Sequence, residues 1–357
     1  MEVIYTNDDS LLKKWDVFIM NDDRCSHLML PDWIASYHSY GFKTDVCLCL
    51  VDGEIIGGFS GILAKAAGFR FYIVPFGPIV SRKHDFMLDK LIAEVPKRAR
   101  NLKACYAQIN LPINIGVDNP HLLNVNENLA SLNGTQPGHI FNYIYSPNGL
   151  NWIDLKGYHE ESKIMTLKPA VRRNIRNSYR KGLEFKIMES KEKLAEAYRL
   201  FGENAAQANY NIREWNDINQ TLFSLQEKGH LKMLAAYKDN VLKGAIMLVK
   251  AGGYYTYILG GSKKEVPDLR TGDFLQWEAI KLSLFEGLDG YNISLGGSKG
   301  VVEFKNSFNT QQILFENGKF NWVISPSKFA LYKNLEKFTK PHKKIISKML
   351  SLLKRKK

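Results

Sequence analysis

Polar and apolar positions alternate in two stretches of the chain that read alike. LVDGEIIGGFSGIL (50–63) leads into GFRFYIV (68–74), and AYKDNVLKGAIMLV (236–249) leads into GYYTYIL (253–259), 186 residues further on. Asp52-Gly53 and Asp239-Asn240 interrupt these β-rich runs with residues that tolerate the positive φ of a hairpin turn, so each stretch predicts strand, tight turn, strand, turn, strand. The apolar spacing then changes to three and four. Phe86, Leu88, Leu91, Ile92 and Val95 predict a helix after the first copy, and Phe274, Leu275, Trp277, Ile280 and Leu284 predict one after the second. KACYAQINL (103–111) and GYNISLGG (290–297) each add a closing strand. Helical segments precede both meanders, at 10–20 and 31–40, then at 168–181, 191–208 and 215–228. The repeat predicts two similar α+β domains, over 1–150 and 151–325, followed by a helical tail over 326–357.

Composition fits this reading. The 357 residues are 45% hydrophobic and 12% aromatic, enough to fill two cores. The first residues, MEVIYTNDDS, are acidic and do not resemble a secretory leader, and no apolar run reaches the roughly 18–20 residues of a membrane span, so a cytoplasmic protein is expected. Cys25, Cys47, Cys49 and Cys105 form no CxxC pair and are expected as reduced core thiols. The eight histidines lack HxxxH or HExxH spacing, and no metal is expected.

Charge changes the picture where it is concentrated. Of the formal +13, residues 328–357 hold +10 and residues 168–186 hold +6, which leaves the rest of the chain at −3. This distribution points to two local anion contacts and not to a surface that coats a polyanion. In VRRNIRNSYRKG (171–182), Arg172 and Arg176 share one helical face, Val171 and Ile175 another, and Gly182 ends the helix. Guanidinium groups so placed suit a diphosphate; tRNA contact and a merely solvated face are the other readings. Beyond Pro341, Ile345, Ile346, Met349, Leu350 and Leu353 form one stripe among lysines. That cationic amphipathic tail suits the inner face of an anionic membrane, with packing back on the first domain or tRNA contact as alternatives.

The order of helices, hairpins, helix and strand is that of a GNAT acyltransferase domain. The chain resembles the FemABX family, tandem-GNAT enzymes that add amino acids to peptidoglycan precursors, and the wider FemAB-like acyltransferases. The resemblance is carried, in family order, by IIGG (55–58), VPFGPIV (74–80), NWIDLKG (151–157), LKPAVRRNIRNSYRKGLEF (167–185), YILGGS (257–262), FLQWEAIK (274–281) and VEFKNSFN (302–309). The long coiled-coil arm of FemA- and FemB-type members is missing, and Ser178 stands where members often carry Ala.

The resemblance implies roles. Lys305, after the glycine-rich LGGSKG, matches a family lysine thought to stabilise charge during acyl transfer, as an oxyanion requires. Arg172, Arg176, Arg213, Trp33, Tyr257 and Phe304 are the implied substrate-binding residues, around a nucleotide- or lipid-linked cell-wall precursor. A GNAT enzyme holds the pyrophosphate of CoA with a Q/R-x-x-G-x-G/A loop. Here DLRTGDFLQW supplies only Arg270 and Gly272 for such a site. No permanently bound cofactor is expected. The donor is expected to be aminoacyl-tRNA and the reaction amide formation on a peptidoglycan-precursor amine. The alternatives are an acyl-CoA donor with an amino sugar of a surface polysaccharide, and a binding protein that keeps the double fold without catalysis.

Overall fold

In the computed structural model, residues 2–112, 141, 143–315 and 318–339 are described. The expected tail beyond Pro341 lies outside them.

Both repeats fold as their patterns predict. In the first, β1 (Glu2–Thr6) precedes α1 (Asp9–Asn21) and α2 (Pro31–Ala35), then β2 (Lys43–Val51), β3 (Glu54–Ala66) and β4 (Phe69–Ile73) form the meander. The β2–β3 turn uses Asp52 and Gly53 at φ 50° and 81°. After β5 (Ile79–Val80), α3 (Leu88–Asn101) leads to β6 (Tyr106–Asn110), which pairs parallel with β4. Helix α3 begins at Leu88, so Phe86 falls outside the buried stripe and is exposed.

The second repeat starts with β7 (Gly149–Asp154), α4 (Glu160–Thr166), α5 (Pro169–Arg180), β8 (Glu184–Met188), α6 (Lys191–Gln207) and α7 (Trp215–Glu227). Proline at the first turn starts α5, and Gly182 at φ 81° ends it. The meander is β9 (Leu231–Lys238), β10 (Val241–Ala251) and β11 (Tyr254–Ser262), followed by α8 (Thr271–Phe285) and β12 (Gly290–Asn292), parallel to β11. Then come α9 (Lys299–Asn306), β13 (Gln311–Leu314), β14 (Lys319–Val323) and α10 (Pro326–Thr339).

Sheet order is β1-β2-β3-β4-β6-β14, with β5 on β3, and β13-β7-β12-β11-β10-β9-β8. Strand β14, placed with the second domain by sequence position, instead pairs antiparallel with β6 from Lys319↔Asn110 to Val323↔Tyr106. Helix α10 follows it onto the first domain, where Phe329 stacks on Tyr106 and Tyr332 meets Phe71 edge-on.

One buried cluster runs between the domains, from Trp15 and Leu48 to Leu222 and Met247, while separate clusters lie under α3 and under α5 and α8. Tyr254 Oη donates to the Cys25 carbonyl at 2.8 Å, and Lys228 reaches Asp16 and Asp32 at 2.7 and 2.6 Å, so the docking is both apolar and ionic. All four cysteines are free and buried, as their spacing predicts. Among the described residues no helix is long and apolar enough to cross a membrane.

The parallel pairs differ in one respect that places the site. Beyond Ile73 and Gln108, the first sheet stays closed: Gly77 N donates to Asn110 O at 2.8 Å, and Asn110 Nδ2 donates to the Pro75 and Pro147 carbonyls. In the second sheet the β11–β12 pairing stops at Thr256↔Asn292, and the chains part.

Candidate active site

A cavity of about 970 Å³ occupies the opening between β11 and β12 and extends to the first domain. Its walls are the end of β11 from Thr256 to Gly260, the turn from Ser294 to Gly297, Lys305 of α9, and Ser26–Leu28, Trp33 and Tyr37 from the first domain. Among the described residues lining it, the charged side chains are Lys305 and Arg213, and none is Asp or Glu. Two cations without a carboxylate favour an anionic ligand.

Lys305 is nearly enclosed, at 7% exposure. Its Nζ donates to the Gly296 carbonyl at 3.1 Å and lies 5.6 Å from the Tyr257 ring centroid. With no carboxylate partner among the described residues, burial pushes its pKa down to about 8. An ammonium has three protons, so one bond to Gly296 leaves donors for a reacting oxygen. The turn that supplies this carbonyl is pinned: Ser294, at φ 63°, donates from Oγ to the Tyr257 carbonyl at 2.5 Å and from N to Asn292 Oδ1 at 3.0 Å. Asn292 Oδ1 also accepts from Asn151 N, which ties β12 to β7 behind the lysine.

Arg213 is held from the other domain. Its guanidinium carbon lies 4.3 Å from the Tyr37 ring centroid and 5.5 Å from that of Tyr40, and Nη1 donates to Ser36 Oγ. His27 meets Trp33 edge-on at 4.8 Å, and burial pushes its pKa down to about 3, so the wall presents a neutral imidazole. Trp33 Nε1 and Ser146 Oγ have no hydrogen-bond partner among the described residues.

Of the residues expected from the sequence, the structure gathers Lys305, Arg213, Trp33 and Tyr257 around one cavity. Phe304 is not in its wall: the ring packs 5.4 Å from Phe308 and covers Gly272. Arg172 and Arg176 are not there either. Val171, Ile175 and Ser178 are buried under α5, which turns the arginines outward, and Arg172 Nη1 instead meets Met165 Sδ at 3.2 Å. Arg270 caps α8 in the left-handed region at φ 61° and pairs with Asp268 at 3.2 Å, apart from the cavity wall. The sequence reading missed His27, Tyr37 and Ser294. His27 and Tyr37 lie on short 3-10 turns, His27–Met29 and Ser36–Tyr40, the second inside the predicted helical segment 31–40, and Ser294 lies within GYNISLGG, which was expected as strand to 297 although β12 stops at Asn292.

Residues 169–306 match the family described as acetyltransferase (GNAT) domain. A search of curated protein sequences finds no match. Among solved structures, FemX superposes with a TM-score of 0.78 at 15% identity, covering 93% of this chain and 99% of that one. The C-terminal domain of a putative lysylphosphatidylglycerol synthetase from Agrobacterium fabrum gives 0.54 at 14% identity, covering 90% and 93%. A tandem GNAT protein of the clavulanic acid biosynthesis pathway gives 0.51 at 13% identity, covering 91% and 99%. At such identities the common property is the fold. The chain has a tandem GNAT fold like that of FemX and carries an acyltransferase domain, and the FemABX-like resemblance read from the sequence holds at this level.

Proposed function

We propose that the protein transfers an aminoacyl group from aminoacyl-tRNA to an amine of a peptidoglycan precursor, with the acceptor in the cavity between the domains. The observation that carries this reading is the buried Lys305 ammonium in a wall without carboxylates. The neutral acceptor amine attacks the ester carbonyl, and the carbonyl oxygen gains charge that Lys305 Nζ stabilises. The C–N bond forms, the ester C–O bond breaks, and the proton lost by the amine ends on the leaving hydroxyl. Arg213 takes an anionic group of the acceptor. Such a donor places the reaction in the cytoplasm.

The start of α8 supports this donor over acyl-CoA. Asp273 puts a carboxylate in the first helical turn, Phe304 covers Gly272, and Arg270 is engaged by Asp268. A pyrophosphate there would find Gly272 covered by the Phe304 ring and Arg270 already paired, where it needs free N–H groups and a free cation. The acetyltransferase domain match favours the second reading, an acyl-CoA-dependent N-acyltransferase acting on an amino sugar of a surface polysaccharide. Incubation of the pure protein with labelled aminoacyl-tRNA or acetyl-CoA, beside peptidoglycan-precursor and amino-sugar acceptors, separates the two. Label transferred from acetyl-CoA alone would replace the first reading by the second.

A further inference from the structure

The arginines of α5 stay outside the cavity, and their surroundings carry a second signal. Arg173, Arg176 and Arg180, at i, i+3 and i+7, form one exposed ridge. The ion pairs of this neighbourhood join Arg270 to Asp268 and Lys281 to Glu278 and Glu160, and engage none of the three. At one end of the helix, Lys181 Nζ donates to the Asp268 carbonyl at 2.5 Å and ties α5 to the loop between β11 and α8. That loop bears exposed Lys263 and Lys264, and Val266, which is 101% exposed. On the other side lies Met165, 60% exposed, in contact with Arg172.

The face therefore joins guanidinium groups without an ion-pair partner among the described residues to apolar side chains left in water. A nucleic-acid backbone would use the cations but leave Val266 and Met165 exposed. An anionic bilayer meets both: headgroup phosphates take the arginines, and the interfacial region takes the apolar side chains. The acids nearby are largely engaged, Asp268 with Arg270, Glu265 with Lys243, and Glu278 with Tyr179 and Lys281.

We propose that this face docks the protein on an anionic phospholipid surface, with α5 along the headgroups and Val266 and Met165 entering the interface. The proposal is independent of the donor and acceptor named above. Its test is co-sedimentation of the full chain with vesicles of phosphatidylglycerol in phosphatidylcholine, beside vesicles of phosphatidylcholine alone. The parent should bind the anionic vesicles selectively. Combined Arg173→Gln, Arg176→Gln and Arg180→Gln should weaken that binding about a hundredfold. Combined Met165→Ser and Val266→Ser should lose the binding that persists at high salt, where charge is screened. All five side chains are exposed, and an unchanged melting temperature verifies the fold in each variant. Parental vesicle affinity in the arginine variant, whose basic C-terminal residues are unaltered, would overturn the proposal. So would loss of RNA binding with vesicle affinity intact, which would assign the ridge to nucleic acid.

Discussion

Lys305 of α9 and Tyr257 of β11 face each other across the opening between β11 and β12, with the ammonium 5.6 Å from the ring centroid. Because burial disfavours the ammonium and pushes its pKa down to about 8, the lysine is charged at neutral pH but close to losing its proton. Activity that depends on the ammonium should fall as pH rises through about 8. Deprotonation of the acceptor amine acts in the opposite direction, so the pH–rate profile should be bell-shaped. Lys305→Met should lower kcat roughly a hundredfold to a thousandfold with little change in acceptor KM, and should abolish the alkaline limb assigned to Lys305. Parental turnover in that variant would remove the lysine from the mechanism.

Arg213 contributes a planar group stacked on Tyr37 and bonded to Ser36. Lysine at this position keeps the charge and loses the plane. Arg213→Gln should raise acceptor KM by roughly ten- to a hundredfold, with Arg213→Lys between it and the parent. Steady-state kinetics at varied acceptor concentration provide the check; a change confined to kcat would mean that Arg213 does not bind the acceptor.

Gly290 pairs with Asp154 and Tyr254, and the Trp152 ring occupies the space where a Cβ would stand. Gly290→Ala should therefore destabilise the fold by roughly 1–3 kcal/mol. Combination with Trp152→Leu should recover part of that loss, a coupling measurable by denaturant unfolding of the double-mutant cycle.

Acid should weaken the fold through His27. Its folded-state pKa, about 3, lies below the unfolded value near 6.5, so the stabilisation is present above about pH 6.5 and is lost as pH falls toward 3. His230 is shifted in the same direction, while burial pushes the carboxyl of Asp16 up and opposes the effect. Melting temperatures between pH 7 and pH 4.5 should consequently fall less steeply for His27→Asn than for the parent. Equal slopes would show that His27 is not the group responsible.

The meanders were legible because strand period and turn residues agree locally, as at Asp52-Gly53 and Asp239-Asn240. Placement of β14 was not: KFNWV carries no feature that names its partner strand, and its pairing with β6 is a long-range contact. For α5, charge announced an anion contact, but the buried Val171, Ile175 and Ser178 decide which way the arginines face. Lys305 and Arg213 lie far apart in sequence with no motif spacing between them, and it was family resemblance that brought them into one site.

The return of β14 to the first sheet inverts the order in which the chain can mature on the ribosome. Strands β7 to β13 have all emerged when residue 314 is released, so the second sheet can be complete while β6 still presents an open edge. The first sheet gains its last strand only with residues 319–323, and Tyr106 its stacking partner only with Phe329. A chain that has released only its first 315 residues would thus carry a complete second sheet and an unfinished first one, leaving the earliest-made strands to be sealed by the latest.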